Sequence, residues 1–193
     1  MENPRRITDL GTLKALGHPL RLKVYGTLRV SGPSTASQLA SQVDEAVSLV
    51  SYHLRKLAEH GLIEEAEVQS EDARERWWQA AQENLSFRHE DFKDTPEGAA
   101  THAAVLRSLI AHRREQYETY LDQQEAWGAE WRKAADQSDF LARLNPAELT
   151  RLNAEIHALI RTYEEQGKAA EAAGDTEGRE TVALHLASFP FRI

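Results

Sequence analysis

Residues 47–57 read Val47-Ser48-Leu49-Val50-Ser51-Tyr52-His53-Leu54-Arg55-Lys56-Leu57, and this stretch decides the fold. Its apolar side chains recur with the spacing of one buried helix face, at Val47, Val50, Leu54 and Leu57. We predict that the helix starts at about residue 44 or 45 and ends at residue 60, because Gly61 suits the position just past a helix end. The opposite side of this helix is polar and is therefore expected to face solvent.

Three shorter helices are predicted upstream of this stretch. Apolar spacing indicates a helix over residues 7–16 and a second one that begins at Pro19, a residue favoured at the first helical position. Residues 31–33 form a turn, after which Ser34 or Thr35 can cap a short third helix that includes Leu39. The third helix and the helix over 47–57 are joined by a tight link, which is the arrangement of a helix-turn-helix unit.

A β-hairpin is predicted directly after this unit. Residues 63–68 suit one strand, residues 69–73 form a polar turn, and residues 74–80 suit the return strand. Because side chains alternate along a strand, Arg74 and Arg76 are expected on one face and Trp77 on the other, in the core. The fold class that follows is mainly α with a small β-wing, a winged helix-turn-helix domain over residues 7–80.

Five motifs in order resemble the ArsR-type winged helix repressors. They are His18-Pro19-Leu20-Arg21-Leu22, Ala36-Ser37-Gln38-Leu39-Ala40, residues 50–57, Gly61-Leu62-Ile63-Glu64 and Arg76-Trp77-Trp78. The resemblance implies a homodimer that binds double-stranded operator DNA of pseudo-palindromic sequence and usually represses. It covers about residues 10–80, so the rest of the chain is similar only to a larger branch with an appended helical region.

Seven residues are predicted to contact DNA. A recognition helix reads base edges mainly from its N-terminal turns, which selects Ser48, Ser51, Tyr52 and His53. Arg55 lies one turn further along and suits a phosphate, as do Arg74 and Arg76 in the wing. For His53 a second role stays open, that of bracing the turn. The wing tip, Ser70-Glu71-Asp72, would repel phosphate, so Arg76 is the stronger wing candidate.

The second half of the chain is predicted to be a connector over residues 81–95 and a dimerisation region over residues 96–193. One long helical pattern over 96–136, with a kink at Gly128, is expected to form the dimer seam. A second amphipathic helix begins at Asn145, and residues 182–186 alternate as a strand does. The aromatic stripe Tyr117, Tyr120, Trp127 and Trp131 could line a pocket for an unidentified small-molecule effector, but packed core or dimer seam is favoured.

A metal site is not predicted, although two histidines invite the comparison. In the family that the chain resembles, zinc sensors carry the motif Asp-x-His, then ten residues, then His-x-x-Glu, on the helix after the wing. Here His102, His112 and Glu115 have a gap of nine residues, and Ala100 stands at the Asp position. One ligand is absent and another is rotated by about 100°, so no cofactor is expected.

Composition excludes several other classes. The 193 residues contain no cysteine, so disulfides and thiolate sites are ruled out. No signal peptide, membrane span, glycine-rich phosphate loop or hydrolase motif is found, which predicts a cytoplasmic protein that is not an enzyme. The net charge of −8 lies mainly in residues 81–193. This acidity keeps one alternative open, a winged-helix protein-interaction module without specific DNA binding.

Overall fold

The computed structural model describes residues 5–67, 75–82 and 84–192. Its helices are α1 (Leu10–Leu16), α2 (Pro19–Ser31), α3 (Ala36–Val43), α4 (Val47–Glu59), α5 (Pro96–Gln123), α6 (Ala129–Ala134) and α7 (Pro146–Ala172). Its strands are β1 (Arg5–Arg6), β2 (Ser34–Thr35), β3 (Ile63–Glu65), β4 (Trp77–Ala80) and β5 (Leu85–Ser86). Two compact units divide the chain, Met1–Glu125 and Ala126–Ile193.

Side-chain caps fix where several of the helices begin. Asp9 accepts a hydrogen bond from the backbone N–H of Thr12 at the start of α1 (2.7 Å). Thr35 and Gln38 form a reciprocal capping box on α3, as predicted for Thr35. Asn145 forms the same motif with Glu148 on α7. These local hydrogen bonds satisfy N–H groups that a helix cannot pair internally.

The wing is part of a three-stranded antiparallel sheet in the order β2-β4-β3. Ser34 pairs with Trp78 and Ile63 pairs with Ala80, so β4 lies in the middle. The hairpin was predicted, whereas β2 was not, because two residues are too few to show an alternating pattern. A short parallel pair, β1 with β5, ties the segment before α1 to the segment before α5. The result is a mainly helical winged helix-turn-helix fold with a small sheet.

The core of the first unit forms where α4 packs against α1, α2 and α3. Val50, Leu54 and Leu57 of α4 are fully buried, as predicted from their spacing. The prediction was wrong for Val47, which is 46% exposed because α4 only begins there. The expected start at residue 44 or 45 fails because Asp44 adopts the left-handed conformation (φ 56°) and ends α3.

Helix α5 belongs to the same compact unit as the winged helix. Its N-terminal half packs on α1 and α2, and its residue Val105 lies in the core. A Cβ on Gly17 would lie 2.5 Å from a methyl of Val105, so glycine is required where α1 meets α5. The functional division into 7–80, 81–95 and 96–193 stays a prediction. The boundary between the two compact units falls after Glu125, which is not one of the predicted boundaries.

The wing corrects two details of the predicted core and strands. Trp78, not Trp77, is the buried tryptophan of β4, at 6% exposure. The alternation was right but its phase was wrong, because a slip of one residue exchanges the two faces of a strand. The strands are also shorter than predicted: β3 ends at Glu65 and β4 begins at Trp77.

The second unit corrects two further predictions. The single helix over 96–136 is interrupted, since α5 ends at Gln123, a 3₁₀ turn spans Gln124–Ala126, and Gly128 caps the separate helix α6. Residues 182–186 form no strand, since no strand in the described ranges pairs with them to supply the ladder of hydrogen bonds that a strand needs. Helix α7 ends at Ala172, two residues before Gly174, which has a positive φ of 75°.

Candidate nucleic-acid interface

Helix α4 presents one buried and one exposed face. Val50, Leu54 and Leu57 point into the core, and the opposite side carries Ser48, Tyr52 and Arg55, all exposed, with Ser51 half-buried beside them. Tyr52 is 47% exposed. Four of the seven predicted DNA-contacting residues therefore share one accessible helix surface, the second helix of a helix-turn-helix unit.

His53 turns away from that surface into the core. It is 4% exposed, and its ring centroid lies 4.5 Å from that of His18 at the start of α2. Burial is the largest cause of the lowered pKa of His53, and the nearby His18 and Arg21 lower it further. Of the two roles left open by the sequence, the geometry favours bracing the junction between α2 and α4.

The N-terminus of α4 carries no side-chain cap. Ala46 stands at the cap position and cannot accept a hydrogen bond, and the first turn contains no acidic residue. Thr35 on α3 and Thr95 on α5 each accept a hydrogen bond from the N–H three residues further on, whereas the equivalent N–H on α4, that of Leu49, bonds the carbonyl of Ala46 (3.0 Å). The N–H groups of Val47 and Ser48 receive no side-chain cap either. Such an end keeps donors and a positive dipole directed outward.

Three cations near the helices are held by backbone carbonyls at helix ends. Arg5 donates to the carbonyls of His60 (3.1 Å) and Gly61, just past α4. Arg21 donates to Ala15 and Lys14 at the end of α1, and Lys23 donates to Val43 (3.2 Å) at the end of α3. Cations at helix C-termini complement the negative end of the dipole. Their roles in holding helices together could not be read from sequence.

The cations nearest the exposed face are mostly neutralised by glutamates. Lys56 pairs with Glu59 and Arg76 pairs with Glu65, each at 2.7 Å. Arg76 also lies over the ring of Trp78, 5.5 Å from its centroid. Arg55 forms no hydrogen bond or ion pair with the residues that the structure describes. Arg74 and the wing tip at residues 70–72 lie outside the described residues, and their roles stay predictions.

Two exposed residues of α4 were missed by the sequence analysis. Val47 and Leu49 flank Ser48 on the first turn, at 46% and 39% exposure. Val47 had been assigned to the buried stripe, and Leu49 had been left unassigned. Their position on the first turn was the available signal, because the N-terminal turn of a recognition helix is the part that enters the groove.

The two histidines of the zinc comparison lie in separate surroundings. His102 is buried among the rings of Phe87, His89 and Phe92, and burial lowers its pKa. His112 packs against α2, where a Cβ on Gly26 would lie 3.6 Å from its Nε2, and burial lowers its pKa too. Ten helical residues separate them by about 15 Å. Within the described ranges, no group of three or more His, Asp or Glu side chains is placed to hold a metal.

The aromatic stripe divides into two pairs. The rings of Tyr117 and Tyr120 on α5 are stacked, with 6.1 Å between their centroids. The rings of Trp127 and Trp131 meet edge to face, with 6.3 Å between their centroids. The pairs belong to different compact units. The pocket and the packed seam both remain predictions for this stripe.

Residues 16–66 match the family described as the helix-turn-helix domain. The chain therefore contains a helix-turn-helix domain. The match covers α2 to β3, which includes α3, α4 and the turn between them. This is the type of unit that regulators use to bind DNA, with its second helix in the major groove. The match does not single out the ArsR-type repressors, so that narrower assignment stays a proposal.

Likenesses among whole proteins are weaker. No curated protein matches the chain. Among solved structures, it is similar to a MarR family regulator from Neisseria meningitidis, at 20% identity and a TM-score of 0.30, over 77% of this chain and 78% of that one. It is also similar to ZitR from Lactococcus lactis, at 17% identity and a TM-score of 0.27, over 79% and 73%. The fold assignment rests on the elements described above.

None of the helices in the part of the chain that the structure describes is both long enough and apolar enough to cross a bilayer.

Proposed function

We propose that the protein is a dimeric, sequence-specific DNA-binding transcriptional regulator of the ArsR type that represses from a pseudo-palindromic operator in the cytoplasm. One observation carries the proposal: α4 buries Val50, Leu54 and Leu57 and turns Ser48, Tyr52 and Arg55 outward. Ser48, Ser51 and Tyr52 read base edges in the major groove. Arg55 contacts phosphate, as does Arg76 from the wing once its pair with Glu65 opens.

The uncapped start of α4 supports this assignment. Its free N–H groups and positive dipole end suit a phosphate oxygen, the commonest kind of protein–DNA contact. His53 acts indirectly, because it packs edge to face on Tyr52, with 5.2 Å between ring centroids, and so limits where the phenol can point. The paired states of Lys56 and Arg76 imply few released counterions and a shallow salt dependence.

The exposed side of α5 supports the dimer. Leu106, Ile110, Tyr117 and Leu121 are all at least 39% exposed in the single chain. At 100° per residue they fall within an arc of about 60° on one side of the helix, as a stripe of two apolar pairs with Arg113 and Arg114 between them. A second copy that packs its own stripe against this one would bury both. The repeated α4 helices would then read two half-sites related by the dimer axis.

Tyr52→Ala and Arg76→Ala should separate base reading from phosphate contact. Tyr52→Ala should cost roughly 1–3 kcal/mol on the operator and little on random DNA, because a base contact is lost. Arg76→Ala should weaken both kinds of DNA about equally and make the salt slope shallower by about one unit per lost phosphate contact. The measurement titrates each variant against operator and scrambled duplex at two salt concentrations.

Tyr163→Ala is the matched control, since Tyr163 is 66% exposed on α7. It should bind both duplexes as the unaltered protein does. If Tyr52→Ala also binds the operator normally while Arg76→Ala alone removes discrimination, the two roles are reversed. If neither change has an effect, the winged helix is not the DNA-binding surface, and the protein-interaction module takes its place.

Operator binding is expected to be independent of zinc and other transition metals. His102 is enclosed by aromatic rings and His112 packs on α2, so neither is free to bind an ion without repacking. Operator affinity would be measured with added Zn²⁺ and with a chelator. A tenfold difference that disappears in His112→Ala would show that this helix does carry a metal site.

A further inference from the structure

Exposed apolar side chains in the winged helix are concentrated at the start of α4. Among residues 5–67 and 75–82, four large apolar side chains are exposed, namely Val30, Val47, Leu49 and Tyr52. Three of the four lie within six residues, on the first two turns of one helix. A scattered exposed apolar residue needs no explanation, but such a cluster marks a binding surface.

The apolar side chains of this turn suit base edges, whereas its backbone N–H groups suit phosphate. Val47 and Leu49 lie about 200° apart around the helix axis with Ser48 between them, so the turn presents an apolar group, a hydroxyl and an apolar group. Neither apolar side chain can donate to a phosphate oxygen. In the major groove, the C5-methyl of thymine is the one apolar group that a base pair presents.

We propose that Val47 and Leu49 are specificity-determining residues that contact the C5-methyl groups of thymines in each operator half-site. The inference rests on the proposed function, since it assigns α4 to the major groove. It adds a class of base to be read, thymine, and two residues that read it. Ser48 and Tyr52 supply the hydrogen bonds between and beside these contacts.

The test removes the methyl group alone. A preferred duplex is first obtained by in vitro selection from random sequence with the full-length protein. Each thymine in its two half-sites is then replaced by deoxyuridine, which keeps every hydrogen-bonding group. Dissociation constants are measured for the unaltered protein, for Val47→Ala/Leu49→Ala and for the control Val30→Ala, which trims an exposed valine on α2.

Loss of one contacted methyl in each half-site should weaken binding of the unaltered protein about 15-fold, or about fourfold per methyl. The same replacement should leave binding by Val47→Ala/Leu49→Ala within about twofold. Val30→Ala should show the full loss. Alanine favours helix, and circular dichroism checks that α4 is retained.

Two results would overturn the inference while the proposed function stands. One is a selected duplex whose deoxyuridine forms all bind as tightly as the thymine form. The other is a loss of the same size in Val47→Ala/Leu49→Ala, since the methyl groups would then be read by other residues. If selection recovers no preferred duplex, the proposed function itself fails and this inference fails with it.

Discussion

Replacing Leu106 and Ile110 together by Asp should reduce operator affinity by about 10²- to 10⁴-fold. Both side chains are exposed on α5, at 40% and 63%, and belong to the proposed dimer stripe. A carboxylate buried there without a partner costs several kcal/mol or must take up a proton. Without the dimer, the second half-site is no longer bound at high effective concentration, which is the source of the expected loss.

Leu109 is not a suitable target for this test, although it lies next to Ile110. It packs against the core of the first unit, so an Asp there would destabilise the winged helix itself. Leu106 and Ile110 are better targets because they are 40% and 63% exposed, whereas α5 contacts α1 and α2 through buried residues such as Val105. The loss of affinity then reports on the interface between copies.

Sedimentation equilibrium gives the direct readout. The unaltered protein should run at about twice the chain mass of 21.8 kDa at micromolar concentration, and the double variant at the chain mass. Val30→Asp is the control, since it places the same charge on an exposed valine of α2. An unaltered protein that is monomeric and still binds operator tightly would contradict the proposed dimer, as would a double variant that remains dimeric.

The buried side of α4 could be predicted because its determinant is periodic. Val50, Leu54 and Leu57 recur at helical spacing and are buried as the period predicts. Val47 has the same spacing but is exposed, because it stands at the first position of the helix. The start of α4 could not be predicted, since it depends on Asp44 adopting a left-handed conformation that few residues other than glycine take. The phase of β4 failed for a related reason: Trp77 and Trp78 are the same residue type, so composition could not decide which faces inward.

The position of the candidate interface could be predicted from the sequence, but which of its charged side chains are paired could not. Counting charges gives nearly equal numbers in residues 1–80, with 10 basic and 11 acidic residues. The count does not reveal that Arg5, Arg21 and Lys23 are held by helix-end carbonyls. Nor does it show that His53 turns inward to meet His18, a contact between residues 35 positions apart in the chain. Such contacts depend on packing, which sequence spacing alone does not specify.

The free energy of unfolding should fall as the pH drops below about 6.5. Burial lowers the pKa of four histidines of the first unit, which are His18, His53, His102 and His112. Each has an ordinary pKa of 6.5 in the unfolded chain, so around and below that pH the unfolded state binds more protons than the native state. The contribution of these histidines to the free energy of unfolding is therefore fully present above pH 6.5. It is lost as the pH falls towards their lower pKa values in the native state.

Nearby charges add to or oppose the effect of burial on the pKa of three of these histidines. His53 faces repulsion from His18 and Arg21 and attraction from Glu45. His102 faces His89 and Asp91, which oppose each other. At His112, Lys23 and Arg113 repel a proton and Glu115 attracts it. In all three cases burial is the largest cause of the lowered pKa.

Urea unfolding at several pH values between 5.5 and 8 measures this dependence. Each histidine that stays neutral in the native state contributes a slope of up to about 1.4 kcal/mol per pH unit. His53→Gln should reduce the slope by the share of His53, whatever its effect on stability at pH 8. The readout is the slope, so it remains informative if the variant is less stable throughout. A free energy of unfolding that stays constant from pH 8 to 5.5 would show that these histidines accept protons as readily in the native protein as in the unfolded chain.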